Sequence, residues 1–246
     1  MHKDTAVLFV HGIQGQPKQF QYLMDELPEE MEVHALLLPG HGQTVREFHA
    51  SRGSDWLAAV RTETQALLAR GKRVVYVGHS MGCLLGLLVS RELQEPYAGM
   101  LLLCCPFRAR IAGRIADHFR SLGRKQTQDP RIAAAMEGNS VPVKGFRESL
   151  LLLRPYGDLF RLMAQVRRMS PRRPEGVRFL FSERDETVNA RCPSYGKRWP
   201  GAVVQVLEGC GHCYFPEAAR KIIQAHLNTL IQSRDGQGSG RPTEGL

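Results

Sequence analysis

The chain has 246 residues, of which 43% are hydrophobic, and it carries a formal net charge of +9. This length allows one large domain or two small ones, and the hydrophobic content suffices for a folded core, which excludes an intrinsically disordered protein. No apolar run approaches the roughly 18–20 residues of a membrane span, and Met1–Thr5 lacks the apolar region of a signal peptide. We therefore expect a cytoplasmic protein.

Short apolar runs alternate with segments of helical periodicity along most of the chain. The predicted strands are Thr5–Val10, Glu32–Leu38, Arg73–Val77, Gly99–Cys104, Val177–Phe181 and Ala202–Leu207. The predicted helices are Pro17–Leu27, Asp55–Ala69, Met81–Leu93, Ala190–Arg198 and Pro216–Ile231. This alternation, with nearly continuous apolar strands, predicts an α/β fold whose parallel, twisted sheet carries helices on both faces.

The alternation stops between residues 107 and 176. Apolar residues recur there at helical spacing without a convincing strand, and Pro155 and Gly157 should interrupt or kink the pattern. The segment holds 15 Lys and Arg residues against 6 Asp and Glu, whereas the rest of the chain holds 18 of each. We predict a basic helical cap at 107–176, inserted into a core formed by 1–106 and 177–232. The polar, Gly-rich residues 233–246 are expected to be disordered.

Gly78-His79-Ser80-Met81-Gly82 reads G-x-S-x-G and joins a predicted strand to a predicted helix. At this junction the pattern predicts a sharp turn that exposes the Ser80 hydroxyl as a nucleophile, with glycines where side chains would clash. The Met81 backbone N–H would then lie at a helix N-terminus, where negative charge is favoured. The simpler alternative is an ordinary helix start with Ser80 as its N-cap.

Three further polar segments follow predicted strands, on the side of the sheet where Ser80 should emerge. The first, starting at His11-Gly12, offers the Ile13 N–H as a second oxyanion donor. The other two carry Asp185 and His212. A serine needs a neutral imidazole to take its proton and a carboxylate to orient that imidazole, so Ser80, Asp185 and His212 form a candidate triad. Glu183 and Glu186 lie near enough to compete for the role of the acid.

These motifs resemble those of the α/β-hydrolases, and more closely those of bacterial carboxylesterases and monoacylglycerol lipases. The matching pieces run in order from Thr5 to about Leu230 and are His11–Gly15, Leu38–Gly42, Asp55-Trp56, Gly78–Gly82, Cys105-Pro106, Asp185–Val188 and Gly211-His212. The resemblance implies an α/β-hydrolase fold with Ser80 as nucleophile, His212 as general base and acid, Asp185 as its orienting acid, and the Ile13 and Met81 amides as oxyanion hole. Most relatives have one or more earlier strands, so the sheet is expected to be short at one edge.

The predicted reaction is hydrolysis of a carboxylic ester, either a small acyl ester or a monoacylglycerol-like substrate, through an acyl-enzyme. A thioesterase, a carbon–carbon hydrolase or lyase, and a non-catalytic binding protein of the same fold remain alternatives. Phe146, Leu150 and Leu162 are the predicted substrate contacts within the cap. The outward-facing basic residues Arg167, Arg168, Arg172 and Arg173 suggest weak contact with anionic lipid, against the simpler reading of a solvated face. No nucleic-acid motif accompanies the charge.

Neither a cofactor nor a metal is expected, since the chain has no phosphate-binding motif and Cys210-Gly211-His212-Cys213 lacks a second C-x-x-C. The six cysteines lie mostly in apolar segments of a chain without an export signal, which favours buried free thiols over disulfides. His11, His41 and His79 are expected to hold loop structure rather than to perform chemistry.

Overall fold

The computed structural model of the protein describes residues 4–110, 128–170 and 176–233. Its strands are β1 (Thr5–Val10), β2 (Glu32–Leu36), β3 (Arg73–His79), β4 (Tyr97–Leu103), β5 (Val177–Ser182) and β6 (Val203–Leu207). Its helices are α1 (Gln21–Met24, after a 3-10 turn at Pro17–Phe20), α2 (Val45–Ala50), α3 (Gly53–Ala69), α4 (Met81–Glu92), α5 (Pro130–Gly138), α6 (Phe146–Leu151), α7 (Leu153–Arg168), α8 (Cys192–Gly196) and α9 (Glu217–Gln232).

The described strands form one parallel sheet in the order β2-β1-β3-β4-β5-β6. The central strands β1, β3 and β4 are almost entirely buried, because helices cover both faces of the sheet. This confirms the predicted α/β architecture. In a parallel sheet the strands share one carboxyl edge, so the segments that follow β1, β3, β5 and β6 are brought to the same side of the molecule.

Side chains of β1 alternate between two hydrophobic clusters, one on each face. Leu8 and Val10 belong to the cluster under α3, α4 and α7, whereas Val7 and Phe9 belong to the cluster under α9. This period of two is the geometry of an extended strand with both faces covered. The fold therefore buries apolar side chains above and below the strands that lead to the candidate site.

The described part of the inserted segment is helical, as the sequence predicts. Helices α6 and α7 are separated at Leu152, three residues before Pro155, and Gly157 lies inside α7 without ending it. Pro155 is tolerated because it lies in the first turn of α7, where its missing N–H has no intrahelical partner. Helix α7 packs against α3 and α4 on one face of the sheet, so this part of the insert belongs to the main core. A cap separate from that core remains a prediction.

The structure bears on three further predictions, which concern the cysteines, membrane spans and the C-terminal tail. All six cysteines are free in the structure, and five of them are buried, as expected for cysteines in apolar segments. Within residues 4–110, 128–170 and 176–233, none of the helices is apolar over a length that could traverse a bilayer. The predicted disordered tail lies, except for Ser233, outside the described residues.

Two helical glycines provide a test of how tightly the sheet and α4 pack. A Cβ added at Gly86 in α4 would lie 2.3 Å from Cε1 of the buried Tyr76 ring, whereas a Cβ at Gly157 in α7 would meet nothing within 4 Å. Both substitutions to alanine gain helix propensity. Gly86→Ala should nevertheless destabilise the protein by about 1–3 kcal/mol through overpacking, and Gly157→Ala should stabilise it by up to about 1 kcal/mol. Urea denaturation measures the free energy of unfolding of both variants. An equal change in that free energy for the two variants would contradict the packing described for α4.

Candidate active site

Ser80 lies at the junction of β3 and α4 with a left-handed backbone (φ 52°, ψ −118°). Such a conformation is strained for a residue with a side chain and persists only where the surroundings impose it. Here a Cβ at Gly82 would lie 2.0 Å from the Val10 carbonyl oxygen, and one at Gly78 would lie 2.8 Å from the Cys83 nitrogen. The two glycines of G-x-S-x-G are therefore required by the close packing of β1, β3 and α4.

The alternative that Ser80 is a plain N-cap does not fit this geometry. An N-cap residue has extended backbone, and its side chain accepts a hydrogen bond from the first helical turn. Ser80 has a positive φ and makes no side-chain capping bond. Its hydroxyl instead lies 3.0 Å from Nε2 of His212.

Asp185 and His212 complete a chain of hydrogen bonds that ends at Ser80. His212 Nδ1 donates to Asp185 Oδ2 at 2.9 Å, which leaves Nε2 of the neutral ring to accept from the Ser80 hydroxyl. All three side chains are buried. The structure thus brings together the three predicted triad residues from the ends of β3, β5 and β6.

The acid loop distinguishes Asp185 from its two glutamate neighbours. Asp185 Oδ1 accepts from the backbone N–H groups of Thr187 and Val188, at 2.8 and 2.7 Å, so its other oxygen is held toward His212. Glu183 accepts instead from the Gly209 N–H on an exposed part of the loop. Glu186 accepts from the backbone N–H of His212 at 3.2 Å and does not reach the ring in this arrangement.

The electrostatics of this pair favour a charged carboxylate beside a basic imidazole. Burial acts to raise the pKa of Asp185, but His212 and the Val188 and Thr187 amides outweigh it and hold the pKa below its ordinary value. Burial acts to lower the pKa of His212, but Asp185 and, more weakly, Glu186 raise it above 6.5. An imidazolium formed at His212 is therefore stabilised, as proton transfer from Ser80 requires.

The Met81 amide is the first of α4, a position without an intrahelical acceptor, and it lies beside the Ser80 hydroxyl. Ile13 lies in the turn closed by the Gly15 N–H to Gly12 carbonyl bond at 3.0 Å. A Cβ at Gly12 would lie 2.9 Å from Ser80 Cβ, so the absence of a side chain brings this loop against the serine. The loop that carries Ile13 and the start of α4 thus both lie next to Ser80, and the role of the Ile13 and Met81 amides as oxyanion donors remains a prediction.

The family profile described as "Alpha/beta hydrolase family" matches residues 7–225, a range that includes Ser80, Asp185 and His212. The chain belongs to the alpha/beta hydrolase family. No curated protein sequence matches it significantly.

Solved structures resemble this hydrolase over nearly its whole length. One comes from a study of LipS and LipT, two metagenome-derived lipolytic enzymes. It has 17% sequence identity and a TM-score of 0.70, and the alignment covers 95% of this chain and 96% of the other. A second is a monoacylglycerol lipase from Paleococcus ferrophilus, with 16% sequence identity and a TM-score of 0.66. The alignment covers 92% of this chain and 95% of the lipase chain. A thioesterase domain from the curacin biosynthetic pathway has 17% identity, 92% coverage of both chains and a TM-score of 0.59. At these identities the likeness shows the fold alone.

Three histidines near the candidate triad of this hydrolase hold backbone in place. His11 Nδ1 donates to the Gly12 carbonyl and its Nε2 accepts from the Leu38 N–H. His79 Nε2 donates to the His212 carbonyl, and His41 packs edge-on against the His11 ring. Burial, the largest cause, lowers the pKa to about 3 for His11 and His79 and to about 4 for His41. All three are therefore neutral near pH 7, in agreement with the predicted structural role.

The loop that carries Ile13 is also held by the inserted segment, through residues that sequence reasoning missed. The Ser140 N–H donates to the Gln14 carbonyl at 2.7 Å, and the Ser140 hydroxyl donates to the Gly15 carbonyl at 2.6 Å. Tyr156 donates to Gln14 Oε1 at 2.7 Å. Gln14 itself has a positive φ of 55°. No local pattern in the sequence links residues 140 and 156 to residue 14, because the contact depends on tertiary structure.

The three predicted substrate contacts, Phe146, Leu150 and Leu162, lie in different environments. Phe146 is 77% exposed and Leu150 is 49% exposed, whereas Leu162 is buried in the core cluster beneath α7. A cavity of about 320 Å³ lies beside His79 and Cys213, and none of these three residues lines it. Its apolar wall consists mainly of Phe20, Leu103 and Phe215. A role in binding substrate remains a prediction for the three cap residues.

One group of metal-ligating side chains occurs among the described residues: His79, Cys104 and His212, whose donor atoms lie within 4.8 Å of one another. Both ring nitrogens of His212 are used by Asp185 and Ser80, and His79 Nε2 is used by a backbone carbonyl. Because these nitrogens already have hydrogen-bond partners, the arrangement of His79, Cys104 and His212 does not favour a metal centre.

Glu186 supplies a test of the electrostatics around His212. Glu186→Gln removes a negative charge that raises the pKa of His212, so the imidazole should lose its proton at lower pH. Activity that needs neutral His212 rises with pH through this pKa, and its acidic limb should therefore move to lower pH. NMR titration of the ring, or the pH dependence of kcat/KM, measures the shift. Glu208→Gln, at an exposed position on the loop that carries His212, is the charge-matched control, and an equal shift in that variant would contradict a specific effect of Glu186.

Proposed function

We propose that this protein hydrolyses carboxylic esters through an acyl-enzyme formed on Ser80. The observation that carries the proposal is the continuous hydrogen-bonded chain from Ser80 Oγ to His212 to Asp185, at 3.0 and 2.9 Å. It begins at a serine held in a strained turn, where its position is fixed before substrate arrives.

In the proposed reaction Ser80 Oγ attacks the ester carbonyl carbon while its proton passes to His212 Nε2. The carbonyl oxygen becomes an oxyanion, which accepts from the Ile13 and Met81 amides. Collapse of this intermediate expels the alcohol, which takes the proton from His212, and leaves an acyl group on Ser80. Water then attacks the acyl carbon, with His212 as base, and releases the acid and free Ser80.

For the substrate we propose a small acyl ester or a monoacylglycerol-like ester. The cavity beside His79 and Cys213 has an apolar part, formed by Phe20, Leu103 and Phe215, but Ser80 does not line it and Lys18, Glu137 and Arg220 do, so the cavity does not carry this choice. The likeness in fold to a monoacylglycerol lipase and to a lipolytic enzyme is consistent with this class.

Thioester hydrolysis is the second candidate, because the same triad can form an acyl-enzyme from a thioester and the fold resembles that of a thioesterase domain. A comparison of p-nitrophenyl esters of varied chain length, monoacylglycerols and acyl-CoAs distinguishes the two. We expect higher kcat/KM for the oxygen esters. Faster turnover of acyl-CoAs at equal acyl length would favour the thioesterase.

Covalent labelling tests the nucleophile directly. A fluorophosphonate probe should attach at Ser80, and Ser80→Ala should abolish labelling and lower ester turnover by roughly 10³-fold or more, since the group that forms the acyl-enzyme is lost. Ser90→Ala alters another buried serine of α4 and is the matched control. Labelling that persists in Ser80→Ala would refute the assignment. Probe-reactive protein without turnover of any ester or thioester would instead favour a non-catalytic binding protein.

The choice of acid is tested by amide substitutions in one loop. Asp185→Asn should reduce kcat far more than Glu183→Gln or Glu186→Gln, because only Asp185 contacts the His212 ring and stabilises the imidazolium. Steady-state kinetics of the three variants on one p-nitrophenyl ester measures this. If Glu183→Gln were the most damaging, Asp185 could not be the orienting acid.

A further inference from the structure

Helices α6 and α7 carry an exposed apolar stripe on the face that points away from the core. The backbone remains right-handed helical through Leu152 (φ −71°, ψ −22°), so the two helices run on as one helical path. Along this path the stripe has spacings of 4, 3, 4 and 3 residues and consists of Phe146, Leu150, Leu153, Gly157 and Phe160. Residues at these spacings share one helical face.

The exposure of this stripe is unusual for large apolar side chains. Phe146 is 77% exposed, Leu153 is 70% exposed, and Leu150 and Phe160 are about half exposed. The opposite face of α7 supplies the core contacts, through Leu159, Leu162, Met163 and Val166. The fold therefore does not need the outer stripe for its own core. A contiguous exposed apolar surface of this kind marks an interaction site more often than isolated apolar residues do.

A row of arginines runs beside the stripe. Arginine recurs every seven residues, at Arg147, Arg154, Arg161 and Arg168, and a seven-residue spacing drifts by only about 20° per repeat on a straight helix. Arg154 also donates to the Ala50 carbonyl, and Arg161 pairs with Asp158. Arg147 and Arg168, at the two ends of the row, are exposed. The positive charge is therefore aligned along one edge of the apolar stripe.

We propose that this face docks on the surface of a bilayer that contains anionic phospholipids. The apolar stripe would enter the boundary between headgroups and acyl chains, while the neighbouring arginines contact phosphate and carboxylate groups of the lipid headgroups. The proposal is independent of the proposed ester hydrolysis, since it rests on an outer surface and not on the triad.

Two other occupants fit the same surface less well. A second copy of the chain would bring a second row of arginines to the interface, and the net charge of +9 opposes self-association. Nucleic acid would satisfy the arginines but leave Phe146 and Leu153 without an apolar partner. A bilayer with anionic headgroups offers apolar acyl chains to the stripe and negative charge to the row of arginines.

The experiment is flotation of the full chain with phosphatidylcholine vesicles, with and without phosphatidylserine. The wild-type protein should bind the anionic vesicles, and added NaCl should weaken binding by screening the arginines. Phe146→Ser/Leu153→Ser and Arg147→Gln/Arg168→Gln should each weaken binding by roughly tenfold or more. Ile222→Ser, at another exposed apolar residue, and Arg191→Gln/Lys197→Gln, with the same loss of charge, are the controls and should bind as the wild type does.

Thermal unfolding by circular dichroism verifies that all variants are folded, as the exposure of the altered side chains predicts. Three outcomes would overturn the proposal. The first is wild-type protein that floats with neither kind of vesicle. The second is a set of stripe and arginine variants that bind within twofold of wild type. The third is a dimer, seen by analytical ultracentrifugation, that Phe146→Ser/Leu153→Ser dissociates.

Discussion

The site depends on one backbone conformation, the positive φ of Ser80 between β3 and α4. A non-glycine residue is held there only because the packing leaves no relaxed alternative. The Val10 carbonyl lies against the Cα of Gly82, and Gly12 lies against the Ser80 side chain. Strand β1, helix α4 and the loop after β1 therefore meet at the serine with no room for an added carbon atom. The strain is offset by the parallel sheet and the two hydrophobic clusters that fix these elements.

A buried site with four histidines needs only one of them to take up a proton. His11, His41 and His79 are buried without a carboxylate partner, so desolvation keeps them neutral. His212 is equally buried, but Asp185 and Glu186 compensate for its desolvation. Adjacent imidazoles, with ring centroids of His79 and His212 4.9 Å apart, thus differ in basicity because of the acids around them. The three neutral rings make hydrogen bonds mainly to backbone groups, and these bonds hold the loops around the candidate triad.

Much of this arrangement could be predicted from the sequence, because its signals are local. Apolar runs located the six strands of the described residues to within two residues at each end, and a parallel sheet brings Ser80, Asp185 and His212 to one edge. The support from Ser140 and Tyr156 could not be predicted, since contacts over more than 120 residues leave no periodic trace. The exposure of Phe146 and Leu150 could not be predicted either. Helices α6 and α7 carry apolar residues on two faces, and a sequence pattern does not show which face packs against the core.

The hydrogen bonds from Ser140 to Gln14 and Gly15 have a consequence for the way this hydrolase could evolve. The insert between β4 and β5 interrupts the alternation of strands and helices, yet it also braces the turn that carries Ile13. A new insert could change what reaches the cavity, but it would have to retain a hydroxyl donor at this point to preserve the turn. Exchange of the whole insert would therefore change the residues that line the cavity and remove the support of this turn at the same time.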